Sequence, residues 1–167
     1  MAPFLCAHSS FKGSRRSTSE TLINMSQRAL LQRRIYGVST LLWMVVIFTF
    51  SSIHGSGTYF EPPLWYVLER KGAHMIEFSI LAFLVASFLS TYIVFRKDTK
   101  LFFCSVFLFC LVYAFSDEIH QFFVFGREAR FTDVVIDSGG ILIGEVAFFF
   151  RWRNVPKKIS RKAKTSR

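Results

Sequence analysis

The chain has 167 residues, 51% of them hydrophobic and 21 of them phenylalanine, with a mean hydropathy of +0.35 and a formal net charge of +10. That is too apolar for an ordinary soluble domain of this length and points to an integral membrane protein. The charge excludes nucleic acid as the expected partner, because 17 of the 21 Lys and Arg residues flank the apolar windows on one side and 4 on the other. Such a bias orients membrane spans.

Residues 1–34 form a basic arm, and residues 1–24 are rich in Ser, Thr and Arg with no helical period, so this arm is expected to be disordered and cytoplasmic. Met25 is a second candidate start. The first apolar window, 35–53, ends in FTFSSI, and no small-x-small exit follows it, so it reads as a retained signal anchor. His54 ends the polar cap of that window, Gly55 and Gly57 break it, and Pro62 and Pro63 restart the chain at a helix N-terminus. Trp65 and Tyr66 suit an interface belt ahead of a second window at 72–95, and RKDTK is a tight connection to a third at 100–123. VFGREAR then leads to a fourth window at 131–152, where Trp152 sits between Arg151 and Arg153. A basic cytoplasmic tail, 153–167, closes the chain.

A hydrocarbon core of about 30 Å needs about 20 helical residues, which each window supplies. None alternates as barrel strands do. The short connections predict antiparallel neighbours, giving an all-α, four-helix, up-and-down membrane bundle over 35–152, multi-pass in the cytoplasmic membrane with both termini cytoplasmic. Cys6 falls in the arm and Cys104 and Cys110 in the third span, so they read as small buried apolar residues with no disulfide framework.

Placed on that topology, nearly every ionisable group outside the basic flanks maps to one end of the bundle, the outer one; Glu20, Asp98 and Glu145 are the exceptions. Lys71, His74 and Glu77 recur every three residues on one face of the second helix. Asp117, His120 and Gln121 share a face of the third, with Glu118 beside Gln121. Arg127 and Arg130 stand in the loop. In the fourth helix Thr132 is placed to cap, Asp133 to meet the positive dipole end, and Asp133, Asp137, Gly140 and Gly144 to share a stripe. G-ILI-G is the small-xxx-small spacing of closely packed membrane helices, so Gly140 and Gly144 are read as packing. The acids above them must then face the interior or another subunit, and a polar pocket opening outward is expected.

These residues resemble a known family. Lys71, His74, Glu77 and Phe78, then Asp117, Glu118, His120, Gln121 and Phe123, then Gly126 and Arg127, then Asp133, Asp137, Gly140 and Gly144 stand in the order of the VanZ-like family, as does FTFSS. Ser138 departs from it, standing where members often carry Asn. The resemblance implies a bacterial membrane protein of the cell envelope, in a family whose namesake accompanies reduced susceptibility to teicoplanin. It carries over no reaction, cofactor or catalytic residue.

For the outer site the expected role is binding or modulation of a lipid-linked or cell-wall ligand, or a glycopeptide, in the outer leaflet. Arg127 and Arg130 offer forked donors to phosphate or carboxylate, and Lys71 adds a point charge. Were chemistry performed there, it would be general acid–base work by His120 and His74, oriented by Asp117 or Glu118. A proton- or cation-coupled carrier and a structural or sensory partner of cell-wall enzymes are the alternatives, and membrane lipid and a second copy of the chain are expected neighbours. With no paired cysteines, HExxH helix, phosphate loop or nucleotide fingerprint, neither metal nor cofactor is expected.

Overall fold

A computed structural model describes residues 10–53, 64–92, 94, 98–127 and 130–154, with side chains from 23 onward in the first stretch and from 70 onward in the second. They form four helices: α1, Ser10–Ser51; α2, Leu64–Leu89; α3, Thr99–Phe122; and α4, Phe131–Asn154. There is no strand among the described residues. Three segments are long and apolar enough to cross a membrane: Ile23–Ser51, Arg70–Leu89 and Thr99–Phe122. The fourth expected span is a helix of 24 residues, as long as α3. Asp133, Asp137 and Glu145 interrupt its apolar sequence, so α4 reaches spanning length without the composition of a simple span.

The arm departs from expectation. From Ser10 it is helical, part of a 42-residue α1 that is about 63 Å long at 1.5 Å per residue. No Gly or Pro lies between Gly13 and Gly37, and 27–34 reads QRALLQRR, all good helix formers. Once the apolar span has nucleated the helix, propagation backward is cheap. His54, Gly55, Gly57, Pro62, Pro63, Cys6 and residues 155–167 lie outside the described residues, as do the side chains of Trp65 and Tyr66.

Contacts fix how the helices run past one another. Along α2 and α4 they come in the same order: Lys71 with Asp133, Met75 and Ser79 with Gly140, Ala82 with Gly144, Phe83 with Phe148. Along α3 and α4 the order is opposite, Phe115 meeting Phe131 and Phe102 meeting Phe148. It is opposite again along α1 and α2, where Trp43 reaches Glu77 and Arg33 reaches Tyr92. The α2–α4 seam is the closest approach, because a Cβ on Gly140 or Gly144 would land on the backbone carbonyl of Met75 or Ser79. Ser79 Oγ donates to the carbonyls of Met75 and Gly140, both at 2.8 Å, and so stitches the seam. At the glycine stripe the two backbones come into direct contact, as small residues at four-residue spacing allow.

Ile47, Phe78, Leu81, Val106, Cys110 and Ile141 fill the centre with no exposure. Leu41, Leu42, Val45, Leu108, Val112 and Ile143 point outward, the inverse of a soluble surface. Cys110 is buried as expected, whereas Cys104 is exposed, since it falls on the outward side of α3. Asp98 caps α3, its Oδ1 accepting from Lys100 N at 2.9 Å and Leu101 N at 3.1 Å. After α3 the chain reverses at Gly126, whose φ of 76° favours glycine.

Candidate functional site

Where α1 and α3 finish and α2 and α4 begin, three helices and a loop bring charged side chains together. At the rim, Lys71 Nζ of α2 pairs with Asp133 Oδ1 of α4 at 2.8 Å, both partly exposed. Asp133 lies in the first turn of α4, as the dipole argument requires. Thr132 does not cap: α4 already begins at Phe131, and Thr132 Oγ1 donates to Asp133 Oδ1 at 3.4 Å. The loop is fastened from α3 instead, Glu118 Oε1 accepting from the Arg130 backbone N–H.

Deeper in, Asp117 and Asp137 are 5% and 3% exposed. Gln121 Nε2, one turn along α3, donates to Asp117 Oδ2 at 2.8 Å, the two lying on one face of the helix. Asp117 Oδ1 and Asp137 Oδ1 are buried without a hydrogen-bond partner among the described residues. On α2, His74 Nδ1 stands 3.4 Å from Glu77 Oε2 but is not aligned to hydrogen-bond with it. These groups share one electrostatic neighbourhood: Asp137 feels the charges of Asp117, Asp133, Glu118 and Glu77, and His74 those of Asp117, Arg127, Arg70 and Asp133.

Two predicted residues turn toward α1. His120 Nε2 lies 3.0 Å from Ser52 Oγ, and its ring stacks at 4.3 Å on Phe48. Arg127 gives Nη2 to the carbonyl of Phe50 at 2.8 Å and Nε to that of Ile53 at 3.1 Å. Its fork thus closes the C-terminal end of α1, where helix carbonyls lack partners and a cation suits the dipole. The sequence reading of this fork as a ligand's anion clamp missed those carbonyls, because residues 74 and 77 positions apart meet only through the fold.

Other participants lay outside the predicted set. Trp43 Nε1 donates to the Glu77 carbonyl at 3.0 Å, holding α1 against the helix that bears His74 and Glu77. Ser51 is fully buried, its Oγ without a partner among the described residues; the FTFSS ending of the first window was the available signal. Glu145, set apart in the sequence, is 8% exposed, lies within electrostatic range of Cys110 on α3, and has Oε1 unpartnered among the described residues. Among the described residues no group of three or more His, Cys, Asp or Glu side chains is placed to hold a metal ion.

The site is rich in acceptors. Its acids outnumber the bases that pair with them, and the unpartnered atoms lie on helices fixed by the glycine seam and by the Trp43 and Arg127 contacts. A family model described as VanZ/LLP1 matches residues 10–152, most of the chain. No curated protein and no solved structure matches it.

Proposed function

The chain belongs to the VanZ/LLP1 family, and from that premise we propose that it is a bacterial cell-envelope protein that binds a lipid-linked or lipid-anchored ligand at its charged end. Three of its helices have the length and composition of membrane spans. In this reading α4 also spans, with its acids turned inward, and the helices form an up-and-down bundle whose termini are cytoplasmic. The charged cluster then opens toward the outer leaflet. The orientation rests on the 17-to-4 distribution of Lys and Arg. A cysteine placed at position 128 should react with an impermeant maleimide from outside the cell; reaction only after the inner face is opened would move the site to the cytoplasm.

The observation that carries the binding reading is the pair Asp117 and Asp137, on separate helices, each more than nine-tenths buried with an oxygen unpartnered among the described residues. A carboxylate at mid-membrane costs about 2.5–3.5 kcal/mol on insertion scales, less near the interface. An interaction that offsets this cost is expected, and a purely structural bridge would leave no acceptor over. Native mass spectrometry of the full chain in mild detergent tests it. A lipid or lipid-linked species should travel with the protein and be lost from Asp137→Asn; equal retention by both would defeat the reading. In cells the readout is teicoplanin susceptibility.

A proton- or cation-coupled carrier is the second reading, favoured by Glu145, a further buried acid deeper along α4. Against it, Phe102, Phe103, Phe148 and Phe149 pack ring to ring between Glu145 and the opposite end. Proteoliposomes that acidify no faster with the wild-type chain than with Glu145→Gln would dismiss it.

A further inference from the structure

We propose that the site recognises its ligand through a primary ammonium group, so that the ligand is an amine-bearing amphiphile such as an aminophospholipid. This rests on the binding reading above and narrows it, reversing the polarity that the sequence suggested. Lys71, Arg127 and Arg130 look like an anion clamp in the sequence. In the fold, Lys71 Nζ is on Asp133, and Arg127 Nε and Nη2 are on the carbonyls of Ile53 and Phe50. Gln121 Nε2 is directed to Asp117.

Two carboxylate oxygens of the cluster are left over. Asp117 Oδ1 from α3 and Asp137 Oδ1 from α4 are buried and unpartnered among the described residues. Glu77 from α2 has the misaligned His74 nitrogen beside one oxygen. Asp137 lies within electrostatic range of Asp117 and Glu77, and Glu77 within that of Asp117, all at the end of the bundle where Lys71 pairs with Asp133. Any of these carboxyls that is ionised repels an anion and attracts a cation. An ammonium carries one positive charge and three N–H donors, one for each of three helices, and these bonds would be charge-assisted. A trimethylammonium brings the charge without the donors and leaves the buried oxygens unsatisfied.

The test reconstitutes the full chain in nanodiscs of phosphatidylcholine and phosphatidylglycerol. Phosphatidylethanolamine or its N-acetyl derivative is added, and the lipids retained after mild extraction are counted by native mass spectrometry. Phosphatidylethanolamine should be retained at least about tenfold over phosphatidylcholine and over the N-acetyl derivative, a difference of about 1.4 kcal/mol. Asp117→Asn and Asp137→Asn should each lose that preference, while Glu145→Gln, outside the cluster, keeps it. Free ethanolamine separates the sources: indifference to it assigns the ammonium to a lipid headgroup, and displacement by it assigns it to a soluble amine. Equal retention of phosphatidylethanolamine, phosphatidylcholine and the anionic N-acetyl derivative, or a preference that survives both Asn variants, would overturn the proposal. Preference for phosphatidylglycerol would keep lipid binding and overturn the ammonium; no retained lipid at all would overturn both. In discs of phosphatidylcholine alone both Asn variants should unfold close to the wild-type Tm. Early unfolding of both would make the cluster a structural lock and also overturn the proposal.

Discussion

At the end of the helices where α3 begins, Phe102 packs on Phe148 at 5.6 Å, Phe83 on Phe148 at 6.0 Å and Phe103 on Phe149 at 6.1 Å. The arginines there lie over rings: Arg33 on Tyr92, Arg151 on Phe83, Arg153 on Phe149. At the other end, the same four helices meet through carboxylates, a lysine, a histidine and an arginine fork. The aromatic end is self-sufficient, because each ring is satisfied by its neighbours and the charges sit over apolar faces. The charged end is not, because Asp117 and Asp137 keep buried acceptors with no partner among the described residues. Stability is thus expected to depend on the aromatic end and the glycine seam, and ligand retention on the charged end.

Four substitutions sharpen or break that contrast. Gly140→Leu should have the largest effect, beyond about 4 kcal/mol, since any side chain there drives into the Met75 backbone. The protein should fail to accumulate in membranes, and normal accumulation would show that the α2–α4 seam can separate freely. Phe148→Ala should cost about 3 kcal/mol by opening a cavity beside the Phe83 and Phe102 rings, read as a lowered Tm in detergent with ligand retention intact. Arg127→Lys keeps the charge but cannot serve both carbonyls in a planar fork, so a loss of about 1–2 kcal/mol is expected. Its hydrogen exchange should rise at the end of α1, and exchange unchanged there would break the latch. Asp137→Asn should change stability least, by less than about 1 kcal/mol and in either direction, because the buried oxygen Oδ1 breaks no bond when its charge is removed. A Tm loss as large as that of Phe148→Ala would erase the distinction between the two ends.

Much of this was legible in the chain before any coordinates. Three spans follow from runs of apolar residues, since length and hydropathy are one-dimensional properties. Lys71, Glu77, Asp117, Asp133 and Asp137 share an end because helical rise turns position in the sequence into depth. The Gly140 and Gly144 seam follows from a four-residue spacing that any α-helix puts on one face. The reach of α1 back to Ser10 was not legible, because propensity over a basic stretch is a weak prior and continuity with a nucleated span overrides it.

Pairing was decided only by the tertiary structure. Asp133 and Asp137 lie on one stripe, yet the first meets Lys71 and the second keeps an oxygen unpartnered among the described residues. Glu145, which the sequence sets apart from the charged end, is buried within electrostatic range of Cys110 on α3. Arg127 closes α1 across a separation of 74 and 77 residues. Each outcome depends on the rotation and axial offset of one helix against another, which the packed backbone at Gly140 and Gly144 sets. No periodicity within a single helix encodes them.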